Sequence, residues 1–180
     1  MEAFTIKVQD FIKMRDTNIR NEYRIGNKIK EGSYGQVRWC IHKATGSLRA
    51  VKVIMKNDVK ELSDDLIDEI QVLRSADHPG IIKIFEFFED KKRFFIISEL
   101  YVGGDLYQYI KEQKETRKDG MVVEEQRAKD IIRQLLIIVR YLHSRNIVHR
   151  DIKPENIMFE TAERRSINIK LVDFGLAATI

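Results

Sequence analysis

Cysteine, proline and tryptophan are scarce in this sequence: its 180 residues include one cysteine, two prolines and one tryptophan. The lone Cys40 excludes an internal disulfide and any metal site built from several thiolates, so a cytoplasmic or nuclear setting is expected. Long hydrophobic runs are missing as well. The most apolar stretch, Ile131 to Val139, is interrupted by Arg133 and Gln134 and is too short to span a bilayer. Phe4 to Phe11 is broken by Lys7, Gln9 and Asp10, so no secretory signal is legible, and Met-Glu replaces the Met-Gly of a myristoylation signal. No membrane partner is expected. Charge of one sign is not in large excess either, with 32 basic against 28 acidic residues spread along the chain. That balance requires no nucleic-acid partner. His42, His78, His143 and Cys40 lack metal-ligand spacing, which argues against zinc, and neither repeats nor low-complexity tracts occur.

What is present suits a globular domain: 43% hydrophobic and 33% charged residues, in a chain long enough to bury a core. Residues 1–20 scatter apolar side chains among charges and read as an extension that docks weakly or not at all. From Tyr23 the pattern becomes β-rich. Strands are predicted over Ile25–Lys30, Gln36–His42, Leu48–Met55, Ile81–Glu89 and Phe94–Glu99. Ser63–Ser75 has helical spacing, with Leu66, Ile70 and Leu73 on one face and Ser63 as a cap. Beyond Gly103-Gly104 a short helix over Asp105–Lys111 is predicted, then a solvated loop over Glu112–Gly120. Glu124–Ser144 is apolar around most of its circumference and predicts a buried helix. The fold class is α+β.

Four stretches carry chemistry. Ile29-Lys30-Glu31-Gly32-Ser33-Tyr34-Gly35-Gln36-Val37 places two glycines where a hairpin could close over phosphates with its backbone N–H groups, although two glycines alone also describe an ordinary turn. Ala50-Val51-Lys52-Val53 sets a lysine in an alternating strand, with Glu69 one helix away. His149-Arg150-Asp151-Ile152-Lys153-Pro154-Glu155-Asn156 gathers a base, an ammonium and a metal-binding amide. Asp173-Phe174-Gly175 follows a strand-like run, Ile167–Val172.

In this order, residues 22–180 resemble a eukaryotic protein kinase domain of the serine/threonine type. The resemblance implies a five-stranded amino-terminal lobe with one inserted helix, then part of a helical lobe. It divides the chain into an extension (1–22) and a kinase domain (23–180), with small lobe 23–98, hinge 99–102 and first part of the large lobe 103–180. ATP and Mg2+ are the implied cofactors, and a protein with a Ser or Thr hydroxyl is the implied substrate. Lys52, paired with Glu69, would hold phosphates. Ile29, Gly32, Ser33, Gly35, Val37, Ala50, Leu106 and Met158 would enclose the nucleotide, with Lys30 standing where the family has its first glycine. The backbone at Glu99 and Tyr101 would read the adenine edge beside a small Ser98, and Asp105 would face the ribose while also capping its helix. Asp151 would take the hydroxyl proton, Lys153 would stabilise the phosphoryl group, and Asn156 and Asp173 would bind magnesium. Leu73, Ile84, His149 and Phe174 match the family's stacked packing positions.

Phe11–Tyr23, His42–Gly46 and Asp77–Lys83 are similar to calcium-dependent protein kinases, yet no Asp-x-Asp-x-Asp-Gly loop occurs, so calcium sensing would need a further carboxy-terminal region. Pro79 and Pro154 are the two prolines, and no Ala-Pro-Glu motif follows Asp173. Two functions stay open: a serine/threonine kinase, or a non-catalytic nucleotide-binding or interaction module. For the isolated chain, poor solubility and no peptide phosphorylation are expected.

Overall fold

The computed structural model describes residues 13–15, 17–32, 35–56, 76–116, 123–162 and 168–180. They fall into two compact units, one formed by the residues up to Asp77 together with Lys83–Leu100, the other by His78–Ile82 and Tyr101–Ile180. The α+β class holds.

The first unit is built on a sheet. Its elements are β1 (Lys13–Arg15), α1 (Ile19–Glu22), β2 (Tyr23–Gly32), β3 (Gly35–His42), β4 (Leu48–Met55), β5 (Ile84–Glu89) and β6 (Arg93–Ser98). The strand order is β1-β5-β6-β4-β3-β2. The five predicted strands pair antiparallel, and β4 has the expected bounds because its centre is rich in β-branched Val51, Val53 and Ile54. Alternation sends Val51, Val53, Phe95, Ile97 and Phe88 into one core with Cys40, Ile19 and Tyr23. Burial there pushes the Cys40 thiol up to about 12, so it acts as a small apolar side chain.

The extension corrects the sequence reading. Lys13–Arg15 adds a sixth strand, parallel to β5, and Ile19 is buried in the sheet core. Asn18 makes this entry stable by accepting a hydrogen bond from the Arg20 N–H at 2.9 Å. Tyr23 then anchors it: its hydroxyl donates to Glu86 and accepts from Arg49 Nη1 at 2.6 Å. The expected helix over Ser63–Ser75, with Glu69 and Leu73, lies outside the described residues, as does Ser33.

The second unit contains α2 (Leu106–Thr116), α3 (Glu125–His143), β7 (Ile147–Val148), a 3-10 turn (Pro154–Asn156), β8 (Ile157–Phe159), β9 (Ile169–Leu171) and β10 (Ala178–Thr179). β8 pairs with β9, and β7 with β10. Ile81 was expected to begin a strand of the sheet; it instead bridges Leu171, with the Leu171 N–H on the Gly80 carbonyl at 2.7 Å. α2 also outlasts its expected end. Glu112–Thr116 is helical and exposed except for an intermediate Gln113, because polar residues continue a helix whose other face is already docked. α3 is where predicted, but only a stripe of it, Ile131, Ile138 and Leu142, is buried, while Ile132, Leu136 and Ile137 are at least half exposed. Among the described residues no helix is long and apolar enough to cross a membrane.

Candidate functional site

In the first unit, strand register decides which side chains share a face, since directly opposed residues in an antiparallel ladder point the same way. Val37, Lys52 and Ile96 form one row across β3, β4 and β6, and Trp39, Ala50 and Ser98 form the next. These rows lie opposite the face of Val51 and Val53, so Val37, Ala50, Lys52 and Ser98 share one side of the sheet. Ser98 is buried, and its hydroxyl donates to the Glu99 carbonyl at 3.2 Å. β2 and β3 meet at a hairpin whose register slips twice, between Ile25 and Lys28 and between Lys28 and Lys30, the second slip leaving Ile29 as an extra, half-exposed residue. Gly35 is obligatory there. Its φ is 130°, and a Cβ would lie 2.2 Å from the Val53 carbonyl oxygen.

In the second unit, Gly103 and Gly104 bring the chain close to β8. A Cβ on Gly103 would meet the Phe159 and Thr161 carbonyl oxygens at 2.5 Å, and Gly104 has φ 74°. The Phe159 N–H then reaches the Gly104 carbonyl at 2.9 Å, and Asp105 bridges Met158, which sets Met158 beside the start of α2 and Leu106. Asp105 is buried and caps α2, its Oδ1 accepting from the Gln108 N–H at 2.8 Å. The Tyr101 ring lies 5.6 Å from Lys170 Nζ, and Glu99 is half-buried.

The loop from His149 to Asn156 is closed on itself. Lys153 Nζ donates to Asp151 Oδ2 at 2.7 Å, and Asn156 Nδ2 donates to the same oxygen and to the Asp151 carbonyl, each at 2.9 Å. Asp151 therefore has a pKa below the usual carboxylate range, with the Lys153 hydrogen bond as the main cause, and Lys153 is shifted up by the same contact. His149 supports the loop from below. Its Nδ1 accepts the Asp151 N–H and its Nε2 meets the Val172 carbonyl, both at 3.2 Å, which fixes the neutral Nε2–H tautomer. The Val172 N–H meanwhile donates to the Asn156 carbonyl at 3.0 Å. Val172 thus ties the loop to the start of Asp173 through both of its main-chain groups. That link is made by main-chain groups, which leave no mark in the sequence.

Asp173 adopts φ 61°, the left-handed region that Asp and Asn tolerate better than most side chains, and Phe174 behind it is wholly buried, 4.6 Å from the His149 ring. Asp173 itself is exposed. Asn156 is buried, and its Nδ2 is engaged by Asp151, so its amide oxygen is the atom a cation could use. An amide oxygen and a carboxylate suit a hard cation. Among the described residues no group of three or more His, Cys, Asp or Glu could hold a metal ion. Magnesium needs no such cage, because it uses one or two carboxylates together with substrate phosphates. The residues present fit it.

Burial holds the His149 pKa below its ordinary value. An unfolded chain therefore takes up this proton first, so stability is complete above about pH 6.5 and declines as pH falls below it. We expect the melting temperature of the chain to drop between pH 7 and pH 5, and the His149 ring proton in NMR to titrate below the ordinary histidine value. Titration at or above that value would contradict the buried neutral tautomer.

The protein kinase domain family matches residues 23–180. Calcium-dependent protein kinase 4 of Plasmodium falciparum is 37% identical over 169 residues, 93% of this chain and 31% of that protein. Calcium-dependent protein kinase 3 of Plasmodium yoelii yoelii is 38% identical over 182 residues, 98% of this chain and 31% of that protein. The calcium/calmodulin-dependent protein kinase cmkA of Emericella nidulans is 40% identical over 156 residues, 86% of this chain and 35% of that protein. The chain spans about a third of the length of these relatives.

Proposed function

The chain belongs to the protein kinase family, and on that premise we propose that it serves an ATP-dependent serine/threonine kinase, transferring the γ-phosphoryl of Mg-ATP to a protein hydroxyl. The observation that carries this reading is the closed loop in which Lys153 and Asn156 both hold Asp151 Oδ2. An ionised Asp151 orients the attacking hydroxyl and accepts its proton as the phosphoryl group leaves ATP. Lys153, an exposed ammonium beside it, offsets charge on the transferred group. A lysine two positions after the base is the feature that points to serine and threonine rather than tyrosine. Asn156 and Asp173 would hold magnesium, which when bound neutralises phosphate charge. In the first unit, Lys52 would hold the α- and β-phosphates, and Val37 and Ala50 would cover the adenine from the same sheet face. Asp105, already a helix cap, would also meet the ribose. We place the protein in the cytoplasm or nucleus and assign no calcium site to these residues.

Titration of the purified chain with Mg-ATP tests the reading. Binding that is lost on chelating magnesium supports it, and failure to bind sinks it. Transfer of label from γ-labelled ATP to Ser, Thr and Tyr peptides then separates a kinase from a nucleotide-binding module without transfer. Transfer by the isolated chain that Asp151→Asn abolishes would show that 180 residues suffice, against the expectation stated above.

A further inference from the structure

We propose that Lys30 is a specificity-determining residue that directs a second ammonium at the phosphates of the bound nucleotide. The inference rests on the nucleotide reading given above and concerns what this chain has in place of the family's first glycine.

Register places Lys30 opposite Val37, and Val37 opposite Lys52. The three residues form one cross-strand row on β2, β3 and β4, and members of such a row share a face. That is the face of Val37, Ala50 and Lys52, not that of the buried Val51 and Val53. β2 slips register twice, between Ile25 and Lys28 and again at Ile29, and the second slip sets the pairing of Lys30 with Val37. Lys28 aligns with Arg38, two residues along β2, while Val37 directly precedes Arg38 on β3. Without the extra residue, Ile29 would take the place opposite Val37 and Lys30 would turn to the other side.

The backbone accepts a lysine here. Lys30 is not among the non-glycine residues with positive φ, so the position demands no glycine conformation. Gly35, across the same hairpin, is the opposite case, with φ 130° and no room for a Cβ. Lys30 and Lys52 sit two strands apart, about 10 Å at the backbone. Flexible four-carbon stems let two ammonium groups converge on one polyanion across that distance. Lys30 is exposed, whereas Lys52 is half-buried, so Lys30 adds a screened, solvent-side charge rather than replacing the inner one. A triphosphate gains from the second charge. An uncharged nucleoside does not.

The test compares dissociation constants of Mg-ATP and adenosine for the wild-type chain, Lys30→Gln, Lys30→Gly and Lys30→Arg. Lys30→Gln keeps the stem and removes only the charge, and Lys30→Gly restores the family residue. Both are expected to weaken Mg-ATP about fivefold, the scale of an exposed charge pair. Adenosine binding should stay within about twofold, and Lys30→Arg should resemble wild type. The fivefold effect should shrink as salt is raised. If wild type binds both ligands but the Mg-ATP to adenosine ratio is unchanged in Lys30→Gln and Lys30→Gly, Lys30 has no such role. If wild type binds neither ligand, the nucleotide reading falls and takes this proposal with it.

Discussion

Asp173→Asn is expected to remove the magnesium-dependent part of ATP binding while leaving the fold intact. The backbone argument comes first. Asp173 has φ 61°, and asparagine tolerates the left-handed region as well as aspartate does, so the loop keeps its conformation. Phe174 stays packed on His149, and Val172 keeps its main-chain bonds to His149 and Asn156. What disappears is one negative charge on the residue proposed above as a magnesium ligand. Loss of a residue that merely supports a metal ligand costs about 10- to 100-fold in affinity, and loss of a direct anionic ligand costs no less. In saturating magnesium the variant should therefore bind ATP at least about tenfold more weakly than wild type. With magnesium chelated, the two should bind alike. A variant that retains the full magnesium dependence would remove Asp173 from the metal site, and the melting temperature should confirm that the chain is folded in either case.

Most of the candidate site was legible in the sequence because its residues sit in contiguous stretches. His149 to Asn156 lies within eight residues, and in the folded loop Lys153 and Asn156 both reach Asp151. Strand β4 was equally plain, since Leu48–Met55 is a short apolar run centred on β-branched Val51, Val53 and Ile54. The amino-terminal strand was hidden for a physical reason. Lys13–Arg15 joins the sheet through main-chain pairing with β5, and main-chain pairing has no side-chain signature. The end of α2 was misplaced because a charged run reads as a loop when its helix is held from one side only. For α3 the apolar pattern overstated burial: residues seven and four apart, Ile131, Ile138 and Leu142, face the core, while Leu136 and Ile137 turn away. The pairing of Lys30 with Val37 was also beyond reach, because it depends on two register slips in β2.

The amino-terminal strand suggests the largest expected effect on stability, through Arg49. Its guanidinium lies 4.1 Å from the Phe85 ring, 2.6 Å from the Tyr23 hydroxyl and 3.9 Å from Oε2 of Glu86, the residue registered against Lys13 of β1. Glu86 is 8% exposed, so its charge is held in a poorly solvated place. Burial and the hydrogen bond to that carboxylate raise the Tyr23 pKa, so its hydroxyl remains a donor to Glu86 at any ordinary pH. Arg49→Met keeps much of the apolar stem and removes the cation. The buried Glu86 carboxylate then loses the Arg49 cation, a loss on the order of 3 kcal/mol. Had the pair been a surface one, the cost would be below about 1 kcal/mol. Adding Glu86→Gln should recover most of the loss, because the unbalanced charge is gone and Tyr23 keeps an acceptor. The effect should also be local before it is global. Lys13 is registered against Glu86, so amide exchange at Lys13–Arg15 should accelerate in Arg49→Met well before exchange in β4 does. Chemical denaturation of the two variants and the wild type measures the first expectation, and hydrogen exchange measures the second. A single variant as stable as wild type would show that the guanidinium does not compensate Glu86; uniform acceleration across the sheet would show that the extension has no separate stability of its own.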